Sequence, residues 1–103
     1  NLVVSERQKA YLNRGLEPTL AFYRDDSKRE IDLIDLTEPA RPQAFEIKSG
    51  ATYRDTFARH LRSVGSELGI PAKDRAVVYH GSERYDTEGA SVVPAEEFLL
   101  RES

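Results

Sequence analysis

The 103-residue chain contains no cysteine, which excludes a disulfide framework and a thiolate metal site and suits a reducing compartment. Methionine is absent as well, and the chain opens on Asn1, Leu2, Val3 and Val4, an apolar pattern already under way. That opening reads as a fragment cut from a longer protein. No apolar run approaches the roughly 20 residues of a membrane-spanning helix, and the start lacks the order of regions found in a secretory signal. The chain therefore reads as cytoplasmic, with no membrane partner. An excess of one charge is missing too: 15 basic residues face 18 acidic ones, for a formal net charge of −3. A broadly basic nucleic-acid coat is excluded, and any contact with nucleic acid has to be local. Gly15, Gly65 and Gly69 form no phosphate loop and nothing reads as a Walker motif, so ATP binding would lie outside these residues.

What is present fits one domain over residues 1–103. Residues 2–13 read as a helix in which Leu2, Glu6 and Ala10 share a face with Val3 close by, and Gly15 supplies the stop. The segment "TLAFYRD" alternates like a strand, "DDSK" is turn material, and residues 30–36 form the second strand of a hairpin. After a loop broken by two prolines comes a third strand at residues 43–48, ended by Ser49 and Gly50. Phe57, Leu61, Val64 and Leu68 draw one stripe down a helix over residues 53–68, closed by "GIP". "RAVVYHG" is a short apolar strand, "ASVVP" a last edge strand, and "PAEEFLLRE" a terminal helix opened by proline. The order helix, three strands, helix, strand predicts an α/β fold. A crossover should lay the strand around Val77 parallel to the one around Ile47, in a mixed sheet of four to five strands flanked by helices.

Two of these apolar runs carry charge inside them. Alternation puts Ala44, Glu46 and Lys48 on one side of their strand and Phe45 and Ile47 on the other. In the preceding strand Glu30, Asp32, Ile34 and Leu36 share a face, opposite Ile31 and Leu33. If the strands pair, Asp32 meets Glu46, and two carboxylates with little water are unfavourable unless a cation joins them. Carboxylate oxygens suit Mg²⁺ or Mn²⁺. Lys48 beside a metal-bound water would favour hydroxide and counter the charge of a phosphorane-like transition state, which suits phosphodiester hydrolysis. Glu6 would complete the set if its helix face packs on the sheet. The plain alternative is an exposed Glu46–Lys48 ion pair worth roughly 0–1 kcal/mol, with Asp32 a polar strand start and Glu6 a solvated helix residue. His60 and His80 sit in no metal-ligand spacing and read as surface or strand-end residues. Arg54, Arg59 and Arg62 read as a solvated helix face rather than phosphate contacts, and Tyr53 as a cap on the sheet end rather than a base-stacking ring.

"EIDLI", a spacer and then "FEIKSG" resembles the PD-(D/E)XK nuclease-like superfamily, which places an acid on one strand and an acid, any residue and a lysine on the next. More closely, "NLVVSE", "AFYRDDSKREIDLI", "FEIKSG" and the late "VVYHG" are similar to a domain at the C-terminus of many prokaryotic AAA-type ATPases. The resemblance implies a three-layer restriction-endonuclease-like fold. It makes Asp32 and Glu46 metal ligands, with the Ile47 carbonyl as a third, Lys48 the catalytic lysine and Glu6 the helix glutamate. It also implies Mg²⁺ or Mn²⁺ as cofactor, DNA as substrate and the ATPase portion of the same chain as partner. An interaction module that keeps the fold, drops the chemistry and binds nucleic acid or protein is the second expectation.

Overall fold

The computed structural model describes residues 2–102; Asn1 and Ser103, the limits of the expected domain, lie outside the described residues. The helix α1 (Leu2–Asn13) leads into strands β1 (Leu20–Arg24), β2 (Glu30–Asp35) and β3 (Gln43–Ile47). A 3₁₀ turn (Asp55–Ala58) and α2 (Arg59–Glu67) cross over to β4 (Arg75–Tyr79), and β5 (Tyr85–Asp86), β6 (Ser91–Pro94) and α3 (Ala95–Glu102) complete the chain. These strands form one open mixed sheet of six, ordered β1-β2-β3-β4-β6-β5. β1, β2 and β3 run antiparallel to one another, β4 and β6 continue parallel to β3, and β5 closes the far edge antiparallel to β6. The expected parallel crossover is present, with Glu46 opposite Val77 and Ile47 opposite Val78. Two expectations need correction. The sheet has six strands rather than four or five, because the two-residue β5 is too short to show a period. The "ASVVP" strand is not an edge: β5 folds back and covers it.

Alternation sorts the buried side chains into two cores. On one face Ile31, Ile34, Ala44 and Val77 pack under Ala58, Leu61 and Val64 of the crossover. On the other, Leu33, Phe45, Val78 and Val93 pack against Val3 of α1 and Ala95 and Phe98 of α3. The result is three layers, with α2 on one side of the sheet and α1 with α3 on the other. Ile31 and Ile34 share a core although they are three residues apart, which regular alternation forbids. The cause lies in the pairing with β1: Tyr23 stands opposite Ile31 and Ala21 opposite Ile34, so Asp32 and Leu33 together face Phe22 alone. This bulge overturns the expectation that Asp32 and Ile34 share one face opposite Ile31 and Leu33.

The first helix packs on a different stripe from the expected one. Its buried residues are Val3, Arg7, Ala10 and Tyr11, while Leu2 is 65% exposed. Leu68 also leaves the α2 stripe for the surface, and Ile70 enters the core instead. Both helices end on glycine. Gly15 and Gly69 each have φ of 75°, and the next residue's N–H returns to a carbonyl of the last turn, Leu16 to Tyr11 at 3.0 Å and Ile70 to Gly65 at 2.8 Å. A Cβ at Gly69 would meet no atom within 4 Å, so the conformation alone sets the cost of a side chain there. Gly69→Ala should lower stability by about 1 kcal/mol in a urea titration, with the denaturant slope unchanged.

Candidate functional site

The acids and lysine singled out above come together where β2 and β3 run side by side. The backbone N–H of Asp32 donates to Glu46 Oε1 at 3.1 Å, and the backbone N–H of Ile47 donates to Asp32 Oδ2 at 2.9 Å. Each carboxylate is thus held by the other strand's main chain. Lys48 Nζ lies 3.7 Å from Glu46 Oε2 and 5.0 Å from the centre of the Phe57 ring, so its ammonium is fixed between an acid and an aromatic face. The oxygens left over by the main-chain bonds, Asp32 Oδ1 and Glu46 Oε2, are the donors that a cation or a proton could use.

The environments of the two acids differ. Glu46 is buried, at 7% exposure, while Asp32 is exposed. Burial first and the neighbouring Asp32 carboxylate second push the Glu46 carboxyl up to about 7, against the opposing effects of the Asp32 N–H and the Lys48 charge. A carboxyl held there shares its proton with solvent near neutral pH. A divalent cation would relieve the same strain without a proton, and two carboxylates with a backbone carbonyl form an oxygen-only donor set that fits Mg²⁺ or Mn²⁺. No cluster of three or more acid, histidine or cysteine side chains suited to a metal occurs among the described residues. The third donor of the expected set is main-chain, the Ile47 carbonyl.

Glu6 is not brought into this group. Its side chain is 42% exposed and faces Lys9 Nζ at 3.4 Å. It rides on α1, which covers the face opposite the one bearing Glu46, although Val4 of the same helix lines a recess with Asp32 and Leu33. His60 lies on α2, and His80 directly follows β4. His60 Nδ1 accepts the N–H of Glu30 at 3.2 Å, tying α2 to the start of β2, and the His80 N–H donates to the Gly50 carbonyl at 2.9 Å. Tyr53 makes edge contacts with Phe57 and Tyr85, at 6.0 and 5.7 Å between ring centres. Arg54 and Arg59 are exposed, and Arg62 Nη2 donates to the Asp55 carbonyl at 3.3 Å.

A second polar group, on the α1 side of the sheet, was not foreseen. Arg7 Nε donates to Asp35 Oδ2 at 2.7 Å, Tyr11 Oη donates to the same oxygen at 2.6 Å, and Arg7 Nη2 donates to Gln43 Oε1 at 2.8 Å. Both charged side chains are 2% exposed. The guanidinium also lies over the rings of Phe45 and Phe98, 4.7 and 5.2 Å from their centres. This assembly pins α1 to the end of β2 and the start of β3, three residues along each strand from Asp32 and Glu46. Its only sequence trace is Asp35 at the end of the apolar run "IDLID", with Arg7 at helical spacing from Val3 and Tyr11.

No curated protein matches this chain, and no solved structure does. One family model spans residues 1–98, nearly all of the elements described above, and the chain accordingly belongs to that family, a domain of unknown function (DUF4143).

Proposed function

We propose that this chain is a nuclease-like domain with a restriction-endonuclease-like version of its α/β fold. It uses Mg²⁺ or Mn²⁺ to hydrolyse DNA phosphodiesters and works as part of an AAA-type ATPase. The observation that carries the reading is the reciprocal main-chain clamp that sets Asp32 against a buried Glu46, with Lys48 3.7 Å away. Two acids forced together at the end of paired strands are costly as structure and useful as ligands.

Asp32, Glu46 and the Ile47 carbonyl would hold the ion, which would supply Lewis acidity toward a phosphoryl oxygen and a more acidic water. The chain's own residues do the rest. The clamp fixes both carboxylates before substrate arrives, so no ordering cost falls on the chemical step. The Lys48 ammonium, which lies over the Phe57 ring, would counter the negative charge that grows on the phosphoryl oxygens. The test is cleavage of plasmid and linear DNA with each metal, by the chain alone and joined to its ATPase portion. Wild type should cleave, and Lys48→Ala should lose at least about tenfold while still being stabilised by metal. Equal cleavage by the variant would assign the activity elsewhere. An inert wild type in both forms would favour the binding module that positions the ATPase.

A further inference from the structure

On the α1 and α3 face, at the opposite ends of the parallel strands from Glu46 and Lys48, lies a cavity of about 140 Å³. Its back wall is the cross-strand row Phe45, Ala76 and Ser91, with Phe98 of α3 over it. Gln43 lines its upper wall, and Arg7 holds that amide's oxygen from inside the protein. Three cationic side chains reach its rim from three separate connections: Arg41 between β2 and β3, Lys73 before β4, and Arg84 before β5. A fourth cation, Arg75, is turned away, with its guanidinium bonded to the carbonyls of Ile70 and Gly89.

The charges around the cavity do not cancel. Arg41 Nε is held at 3.0 Å by Asp74, which is buried, and that contact engages one edge of the guanidinium. Arg84 makes a half-exposed contact with Glu97 at 3.3 Å. Lys73 has no ion-pair partner among the described residues. In a chain whose net charge is −3, gathering three cations around one polar recess is a local reversal of sign. Two guanidinium forks and an ammonium match the oxygens of a tetrahedral dianion better than a planar carboxylate, which one fork would satisfy. The volume falls below the 300–1,000 Å³ or so of pockets that enclose drug-sized ligands, so the recess has room for an anionic group but not for a whole nucleotide.

We propose that this recess is a phosphate-binding site, separate from the acid–lysine site and taking one phosphoryl group through Arg41, Lys73 and Arg84. Calorimetric titration with inorganic phosphate in metal-free buffer, at constant ionic strength set by chloride, tests it. Wild type should bind saturably with one site, and Lys73→Gln combined with Arg84→Gln should bind at least tenfold more weakly. Both are rim residues, so the double variant should melt near wild type, which a thermal scan checks. Lys48→Ala should bind as wild type does. Parallel titrations with a 5′-phosphorylated dinucleotide and its 5′-hydroxyl twin identify the source. Tighter binding of the phosphorylated form than of free phosphate assigns the site to a nucleic-acid end, and equal or weaker binding assigns it to free phosphate. Absence of saturable binding to wild type, undiminished binding by the double variant, or loss of binding in Lys48→Ala would each overturn the proposal. None of these outcomes depends on whether the chain cleaves DNA.

Discussion

Arg7→Ala should destabilise the fold by about 3–5 kcal/mol, because it leaves the Asp35 carboxylate buried without the cation that faces it. For a chain of this size that is a large share of a total near 5–15 kcal/mol, and the melting midpoint should fall by roughly 15 °C or more. The loss is more than one ion pair. The guanidinium also fills the space between Phe45 and Phe98 and holds Gln43, so the truncation opens a polar cavity in the core beneath α1 and α3. Burial works to raise the Asp35 carboxyl, but hydrogen bonds from Tyr11, Thr37 and Arg7 outweigh it and leave that group below its ordinary 3.8. The sign of the pH dependence follows. A depressed carboxyl contributes stability that is present above 3.8 and is lost as pH falls through the lower folded value. Wild type should therefore lose stability in acid more steeply than Arg7→Ala, whose carboxylate has less to lose. Replacing both partners with apolar residues, Arg7→Met with Asp35→Leu, should recover most of the loss. Calorimetric melts of wild type and the two variants from pH 7 down to 3 check the account. An Arg7→Ala protein within 1 kcal/mol of wild type would remove the assembly from the causes of the fold.

Where the pattern of residues was local, the fold was legible. The turn at Asp25 comes from one side chain accepting the N–H groups of Ser27 and Arg29, which "DDSK" announces. The parallel crossover follows from a strand, a helix and a strand in order. Glu46 and Lys48 had to be neighbours because they are two apart on a strand, and Asp32 could reach them only if its strand paired with theirs. The bulge was hidden, since one extra residue at Asp32 and Leu33 leaves the apolar run intact while shifting which faces its members take. The first helix misled for a related reason. Its buried stripe contains Arg7, whose charge is cancelled by Asp35, 28 residues away, so hydrophobic periodicity pointed one position aside and drew Glu6 toward the sheet. The basic recess was out of reach altogether: Arg41, Lys73 and Arg84 share no segment, and only the folded chain collects them.

The acid pair yields the other large effect. Glu46→Gln should stabilise the metal-free protein by up to about 3 kcal/mol at pH 8 and by almost nothing at pH 4. The folded carboxyl stands at about 7, above the ordinary 4.5, so between those two values the folded state holds the proton that the unfolded state releases. Stability from this group is complete below 4.5, falls as pH rises through the interval, and is fully lost above 7. Glutamine keeps the acceptor that the Asp32 N–H uses and removes the charge that Asp32 and burial oppose, so the variant should show a flatter profile. Asp32→Asn should act in the same direction with a smaller gain, because Asp32 is exposed and its repulsion is screened by water. Adding Mg²⁺ or Mn²⁺ reverses the order. An ion that binds only the folded state raises wild-type stability by RT ln(1 + [L]/Kd), on the order of 2.7 kcal/mol at a hundredfold excess over Kd, whereas Glu46→Gln has one carboxylate left to offer. Melts of wild type and both variants at pH 4, 6 and 8, in chelator and in each metal, separate the accounts by sign. If Glu46 and Lys48 are merely a structural ion pair, Glu46→Gln lowers the midpoint at pH 8 and metal shifts none of the three proteins. A buried Glu46 that carries the ion instead makes wild type the least stable of the three in chelator and the most responsive to metal.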